Sequence, residues 1–159
     1  MNMKLKINIP LILFVAGCLF VGFLSSWLSG DGIAATYFSL NRPVFAPPHW
    51  LFAPVWIVLY IMMGVSAYMV WSKREEHKIG GKMAIFFVQL FFNFLWSIIF
   101  FRWNNLSMAF YEILILLVLI VVNIFCFKKV SSVAAYLLIP YVIWVSFATV
   151  LTFSILNLN

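Results

Sequence analysis

Pro43-Val44-Phe45-Ala46-Pro47-Pro48-His49-Trp50-Leu51-Phe52-Ala53-Pro54-Val55-Trp56 runs on through Leu59-Tyr60 and Met63-Gly64 to Ser72 without one Asp, Glu, Lys or Arg. An uncharged run of this kind holds the roughly 20 helical residues needed to cross a hydrocarbon core ~30 Å thick. Its first part is also unusual. Prolines at 43, 47, 48 and 54 stiffen the approach by fixing φ, while Trp50, Phe52 and Trp56 bring ring surface to the join of loop and helix. Such a join has the properties of a lid and wall over a preformed ligand site.

Working outward, four further runs are long and apolar: Ile7 to Gly30, Met83 to Phe101, Trp103 to Phe127 with only Glu112 inside it, and Val130 to Asn159. The chain of 159 residues is 66% hydrophobic and 9% charged, with a mean hydropathy of +1.12, which excludes a water-soluble domain. Backbone groups in lipid must be satisfied within a helix or a closed barrel, and the alternation of a membrane barrel is absent. The expectation is an all-α integral membrane protein, a five-transmembrane-helix bundle forming one domain over 1–159. Its helices are placed at about 7–28, 49–72, 83–101, 107–127 and 132–156, with an outer loop at about 29–48 as pocket lid.

Lys4 and Lys6 followed by Val15-Ala16-Gly17-Cys18 imitate a signal peptide ending in a lipid-attachment box. Strong hydrophobicity continues past Cys18 through Leu19, Phe20, Val21, Phe23 and Leu24, so a retained first helix is expected. Cys126 is the other thiol, and without a Cys-x-x-Cys pair both cysteines read as packing residues. His49 and His77 lie in loops with no second ligand at suitable spacing, so no metal site is expected.

The basic residues fall unevenly once five helices are drawn. Lys4, Lys6, Lys73, Arg74, Lys78, Lys82, Lys128 and Lys129 share one side, and Arg42 and Arg102 lie on the other. The positive-inside rule then places the N-terminus in the cytoplasm and the C-terminus outside, in a bacterial-type plasma membrane. The net charge of +6 is a topology signal, and no nucleic-acid partner is expected.

Tryptophan depth separates two groups. Trp27, Trp50, Trp71 and Trp103 fall near helix ends, where amphipathic rings favour the interface. Trp56, Trp96 and Trp144 lie deeper, between the bilayer centre and the outer face, beneath the Pro-rich loop. Gln89, Asn93, Trp96 and Phe100 share one helix face, Trp56, Tyr60 and Met63 form a second stripe, and Trp144, Ala148 and Thr152 a third. These faces either line an amphipathic cavity or pack helix on helix with Gln89 and Asn93 as polar glue. Glu112 is the only acid inside a span, and reads as a proton or cation site or, the favoured reading, as a protonated or hydrogen-bonded group tying two helices together. No nucleophile and base, phosphate loop or carboxylate pair is present, which argues against hydrolytic or phosphoryl-transfer chemistry.

Leu40-Asn41-Arg42-Pro43, Phe45-Ala46-Pro47-Pro48 and Pro54-Val55-Trp56 with Leu59-Tyr60 and Met63-Gly64 resemble the first loop and second helix of the TspO/MBR family, that of the translocator and tryptophan-rich sensory proteins. Gln89-Leu90, Asn93 and Trp96 resemble its third helix. Leu138, Pro140-Tyr141, Trp144, Phe147-Ala148-Thr149 and Leu156-Asn157 resemble its fifth. Thr36, Phe45 and Thr152 depart from the residues usual there. The resemblance implies a five-helix bundle, commonly a homodimer, whose cavity under the first loop binds porphyrins and other aromatic ligands. By position Tyr37, Trp56, Asn93, Trp96, Trp144 and Ala148 would line it, beside Tyr60 and Pro47, and Arg42 at the mouth would pair with a propionate. It also implies light-dependent porphyrin breakdown in which Trp56 and Trp144 act.

The expected function is thus a membrane receptor or binding protein for porphyrin-like tetrapyrroles. Protoporphyrin IX is the expected ligand, the lipid bilayer its surroundings, and no cofactor is required. The alternative is a small secondary transporter using Glu112, although the chain has no visible inverted repeat or pair of broken helices.

Overall fold

The computed structural model describes residues 8–30 and 32–159. Lys4 and Lys6, used above for topology, lie outside them. The described residues form helices without a strand: α1 Ile9–Ser29, α2 Gly32–Ser39, a 3-10 turn His49–Leu51 leading into α3 Phe52–Trp71, α4 Gly80–Ser97 continued by a π turn Ile98–Arg102, α5 Leu106–Lys128, α6 Ser132–Leu137 and α7 Ile139–Leu158. Five stretches among them are long and apolar enough to cross a membrane, Ile9–Ser29, His49–Trp71, Gly80–Arg102, Leu106–Lys128 and Ser132–Leu158. The protein is an integral, multi-pass membrane protein.

Side chains near the starts of the helices satisfy amides that have no partner within the helix. Asn8 accepts from Leu11 N at 3.3 Å, Asn105 from Met108 N at 3.0 Å, and Ser131 from Ala134 N at 3.3 Å. Gly30 ends α1 at φ +60°, a conformation that costs glycine little.

The helices close into a ring. α1 packs on α3 and α4, α4 on α5, α5 on α6 and α7, and α6 back on α3. Met63, Phe86, Ile113, Leu116, Ile120, Phe127 and Tyr141 fill the interior, while Phe20, Phe23, Phe91, Val118, Phe125 and Ile143 face outward. An outer surface this apolar suits lipid. Gly64 lets α1 and α3 approach closely, since a Cβ there would stand 2.5 Å from Val15 Cα and 2.9 Å from the Phe14 carbonyl oxygen. Hydroxyls join helices across the ring, with Ser25 donating to the Phe94 carbonyl at 2.8 Å and Ser66 to that of Ala134 at 2.7 Å.

Three boundaries differ from the sequence reading. The outer segment 29–48 is not loop throughout: Gly32–Ser39 is helical, because the proline run that forbids helix begins only at Pro43. The third span starts earlier, at Gly80, and Lys82 turns back to donate to the Lys78 carbonyl at 2.6 Å, carrying its charge toward the end of the bundle. The fifth span is broken at Leu138, because Pro140 has no N–H to bond the Tyr136 carbonyl and extend α6.

Candidate functional site

Beneath α2 a cavity of about 770 Å³ opens between α1, α3 and α4, within the ~300–1,000 Å³ usual for small-molecule sites. α1 contributes Leu19, Gly22, Phe23 and Ser26, at i, i+3, i+4 and i+7 along one face. α3 contributes Phe52, Ala53, Trp56, Ile57 and Tyr60, and α4 with its π turn contributes Asn93, Trp96, Ser97 and Phe101. Tyr37 and His49 form the roof. Among the described residues no Asp, Glu, Lys or Arg lines the space, so the walls they form are ring faces and a few neutral polar groups.

The roof is fixed at several points. The Tyr37 hydroxyl donates to the Pro47 carbonyl, and its ring meets Phe52 edge-on at 5.4 Å and His49 at 5.9 Å. Thr36 Oγ1 donates to the Phe101 carbonyl at 3.2 Å, tying α2 to the π turn. The Asn41 N–H donates to Asn159 Oδ1 at 2.9 Å and Asn159 Nδ2 returns a bond to the Asn41 carbonyl at 3.0 Å, so the Pro-rich loop is clasped to the end of α7. Phe45 packs on Phe147 of α7 at 6.3 Å. These bonds give the stiff loop its purchase on the bundle.

Inside, a hydrogen-bonded chain links three helices. Tyr60 OH donates to Asn93 Oδ1 at 2.5 Å, Asn93 Nδ2 to Tyr141 Oη at 2.9 Å, and Tyr141 OH to Gln89 Oε1 at 2.9 Å. Gln89 Nε2 then approaches the Met63 sulfur at 3.9 Å. The four polar members are buried, so each bond lies in a low-dielectric setting where a missing partner is costly. Gln89 and Asn93 therefore act as polar glue between helices, while Asn93 and Tyr60 also face the cavity.

The structure brings Tyr37, Trp56, Tyr60, Asn93 and Trp96 together around one space. It places the other expected site residues apart from that wall. Pro47 holds the Tyr37 hydroxyl, and the Arg42 guanidinium lies over the Tyr37 ring at 4.6 Å and the Phe38 ring at 5.6 Å. Arg42 thus sits behind the roof with its charge unpaired among the described residues. Trp144 lies on the far side of α3, in an apolar groove of about 850 Å³ shared with Trp50, Pro54, Pro140 and Phe147. It reaches the cavity only through Phe52, whose ring it meets at 6.0 Å. Ala148 is buried in the helix core and lines neither space.

Glu112 is buried on α5, and neither carboxyl oxygen has a hydrogen-bond partner among the described residues; the same holds for both amide atoms of Asn123. The hydrogen-bonded tie offered above for Glu112 is therefore not seen. No group of three potential metal ligands occurs among the described residues. Sequence reasoning missed the α1 wall, Phe101 as a liner, and Tyr141 as the centre of the polar chain, whereas Phe52, read as ring surface at the join of loop and helix, does line the cavity. Tyr141 was nevertheless visible as a phenol within a span, which must find a partner.

The fold and site define a five-span membrane bundle with an aromatic cavity roofed by a short helix and a Pro-rich loop. The sequence pattern of the TspO/MBR family matches residues 14–158, and the chain belongs to that family. It is 39% identical over 155 residues to the tryptophan-rich protein TspO of Chlorobaculum tepidum, covering 95% of this chain and 96% of that protein. It is 33% identical over 141 residues to the human translocator protein, covering 87% and 81%. With the tryptophan-rich sensory protein of Cereibacter sphaeroides it shares 31% over 123 residues, covering 77% and 76%.

Proposed function

We propose that this protein is a membrane receptor that holds flat aromatic ligands, porphyrin-like tetrapyrroles first among them, in the cavity beneath α2. The observation that carries the reading is the lining. Tyr37, Phe52, Trp56, Tyr60, Trp96 and Phe101 offer ring surface, and no charged side chain among the described residues competes for it. Walls of this kind favour a planar π system through stacking and edge contacts. The acidic substituents of a porphyrin then belong outside the neutral space, where Arg42, above the Tyr37 ring and without an ion-pair partner among the described residues, suits a carboxylate. A sensory role agrees with the name of the Cereibacter relative.

The charge distribution supports an orientation. Lys73, Arg74, Lys78, Lys82, Lys128 and Lys129 lie at one end of the bundle and Arg42 and Arg102 at the other, so the cavity opens toward the outer half of the membrane. Titrating protoporphyrin IX into the purified protein and following indole fluorescence tests the reading. Saturable quenching, weakened by Trp56→Phe with Trp96→Phe, is the expected result, and quenching no greater than free tryptophan gives would rule it out.

A second reading, porphyrin breakdown under light, is favoured by Trp56 in the wall and by Trp144, which meets the wall residue Phe52 at 6.0 Å. Illuminated samples should then yield a product that Trp56→Phe abolishes. The same product in protein-free controls would remove this reading.

A further inference from the structure

Gly22 lies on the cavity wall at the point where α1 faces the Tyr60 ring. A Cβ added there would collide with Tyr60 Cε2 and would stand only 2.6 Å from Cδ2 and 2.8 Å from Cζ. Those are ring atoms of a side chain held at both ends. The Tyr60 hydroxyl is bound to Asn93 at 2.5 Å, its ring lies 5.7 Å from that of Trp56, and the residue is buried. The ring can yield only by turning away from α1, toward the space the cavity occupies.

We infer that Gly22 is a specificity-determining residue: by having no side chain it lets the Tyr60 ring lie close against α1, and so sets the width of the cavity and the size of planar ligand admitted. This rests on the cavity being the ligand site. Any side chain at 22 pushes the Tyr60 ring into the cavity and strains the Tyr60 to Asn93 bond, with the chain through Tyr141 to Gln89 behind it. Gly64, on the opposite partner of the same helix pair, differs in kind. Its neighbours are α1 backbone atoms of Phe14 and Val15, so a side chain there presses on the helix backbone and meets no ring of the cavity wall.

The test is a double-mutant cycle on the full chain in detergent, with Gly22→Ala, Tyr60→Ala and both together, read by protoporphyrin IX affinity and by melting temperature. Gly22→Ala is expected to weaken protoporphyrin binding by about tenfold when Tyr60 is present and by less than about twofold in the Tyr60→Ala background. Its drop in melting temperature should likewise vanish in that background. Equal losses in both backgrounds would overturn the inference. A protein that never binds protoporphyrin, yet keeps the coupling in melting temperature, would contradict the ligand reading while upholding Gly22 as the seat of Tyr60.

Discussion

The Tyr60 hydroxyl donates to Asn93 Oδ1 at 2.5 Å, so a residue of α3 and a residue of α4 that both face the cavity are bound to each other at its wall. Asn93 Nδ2 in turn donates a hydrogen bond to Tyr141 Oη, and the wall is thereby braced from α7. Ligand site and helix packing share these groups.

Tyr60→Phe keeps the ring and leaves Asn93 Oδ1 without its donor. Stability should fall by about 1–3 kcal/mol, the cost of an unsatisfied buried acceptor. Thermal unfolding in detergent measures this. Tyr141→Phe should cost at least as much, because it strips a donor from Gln89. Melting temperatures equal to that of the unsubstituted protein would show that water replaces the phenols without loss.

Tyr37→Phe removes only the hydroxyl that binds the Pro47 carbonyl. The roof should loosen while the stacking surface stays. Ligand dissociation should quicken several-fold, in line with a lost hydrogen bond of about 0.5–1.5 kcal/mol, with little change in association. Stopped-flow recovery of indole fluorescence reads both rates. An unchanged dissociation rate would mean that α2 does not gate the cavity.

Gly64→Ala places a methyl group against the backbone of Val15, 2.5 Å from its Cα. Backbone cannot rotate aside as a side chain can. The α1–α3 contact should open at a cost of about 1–3 kcal/mol, seen as a lower melting temperature. Normal stability would indicate that the two helices slide past each other freely.

Glu112 has no partner for either carboxyl oxygen among the described residues, so nothing there offsets its desolvation. Glu112→Leu should therefore raise the melting temperature, and Glu112→Gln should change it little. A marked fall for the leucine variant would reveal an interaction of Glu112, through water or a bound cation, and would strengthen the transporter alternative.

The five spans were legible because lipid demands long uncharged helices, and charge breaks the chain at Lys73 to Lys82, at Arg102 and at Lys128 and Lys129. The amide and aromatic face of α4 was legible too, since Gln89, Asn93 and Trp96 repeat at helical spacing. What spacing could not give was azimuth. Apolar residues are spread around all of α1 and α7, with hydroxyls scattered among them, so nothing in the pattern showed that α1 would wall the cavity or that Trp144 would turn to the groove behind α3. Gly22 was equally silent, because its role lies in what a residue on another helix places against it.

The central claim is that the space between α1, α3 and α4 holds a flat aromatic ligand. Protoporphyrin IX titrated against indole fluorescence, in the unsubstituted protein and in Trp56→Phe with Trp96→Phe, tests it most directly. The account predicts saturable quenching whose affinity falls about tenfold or more in the double variant. Unchanged affinity in that variant would place the ligand elsewhere.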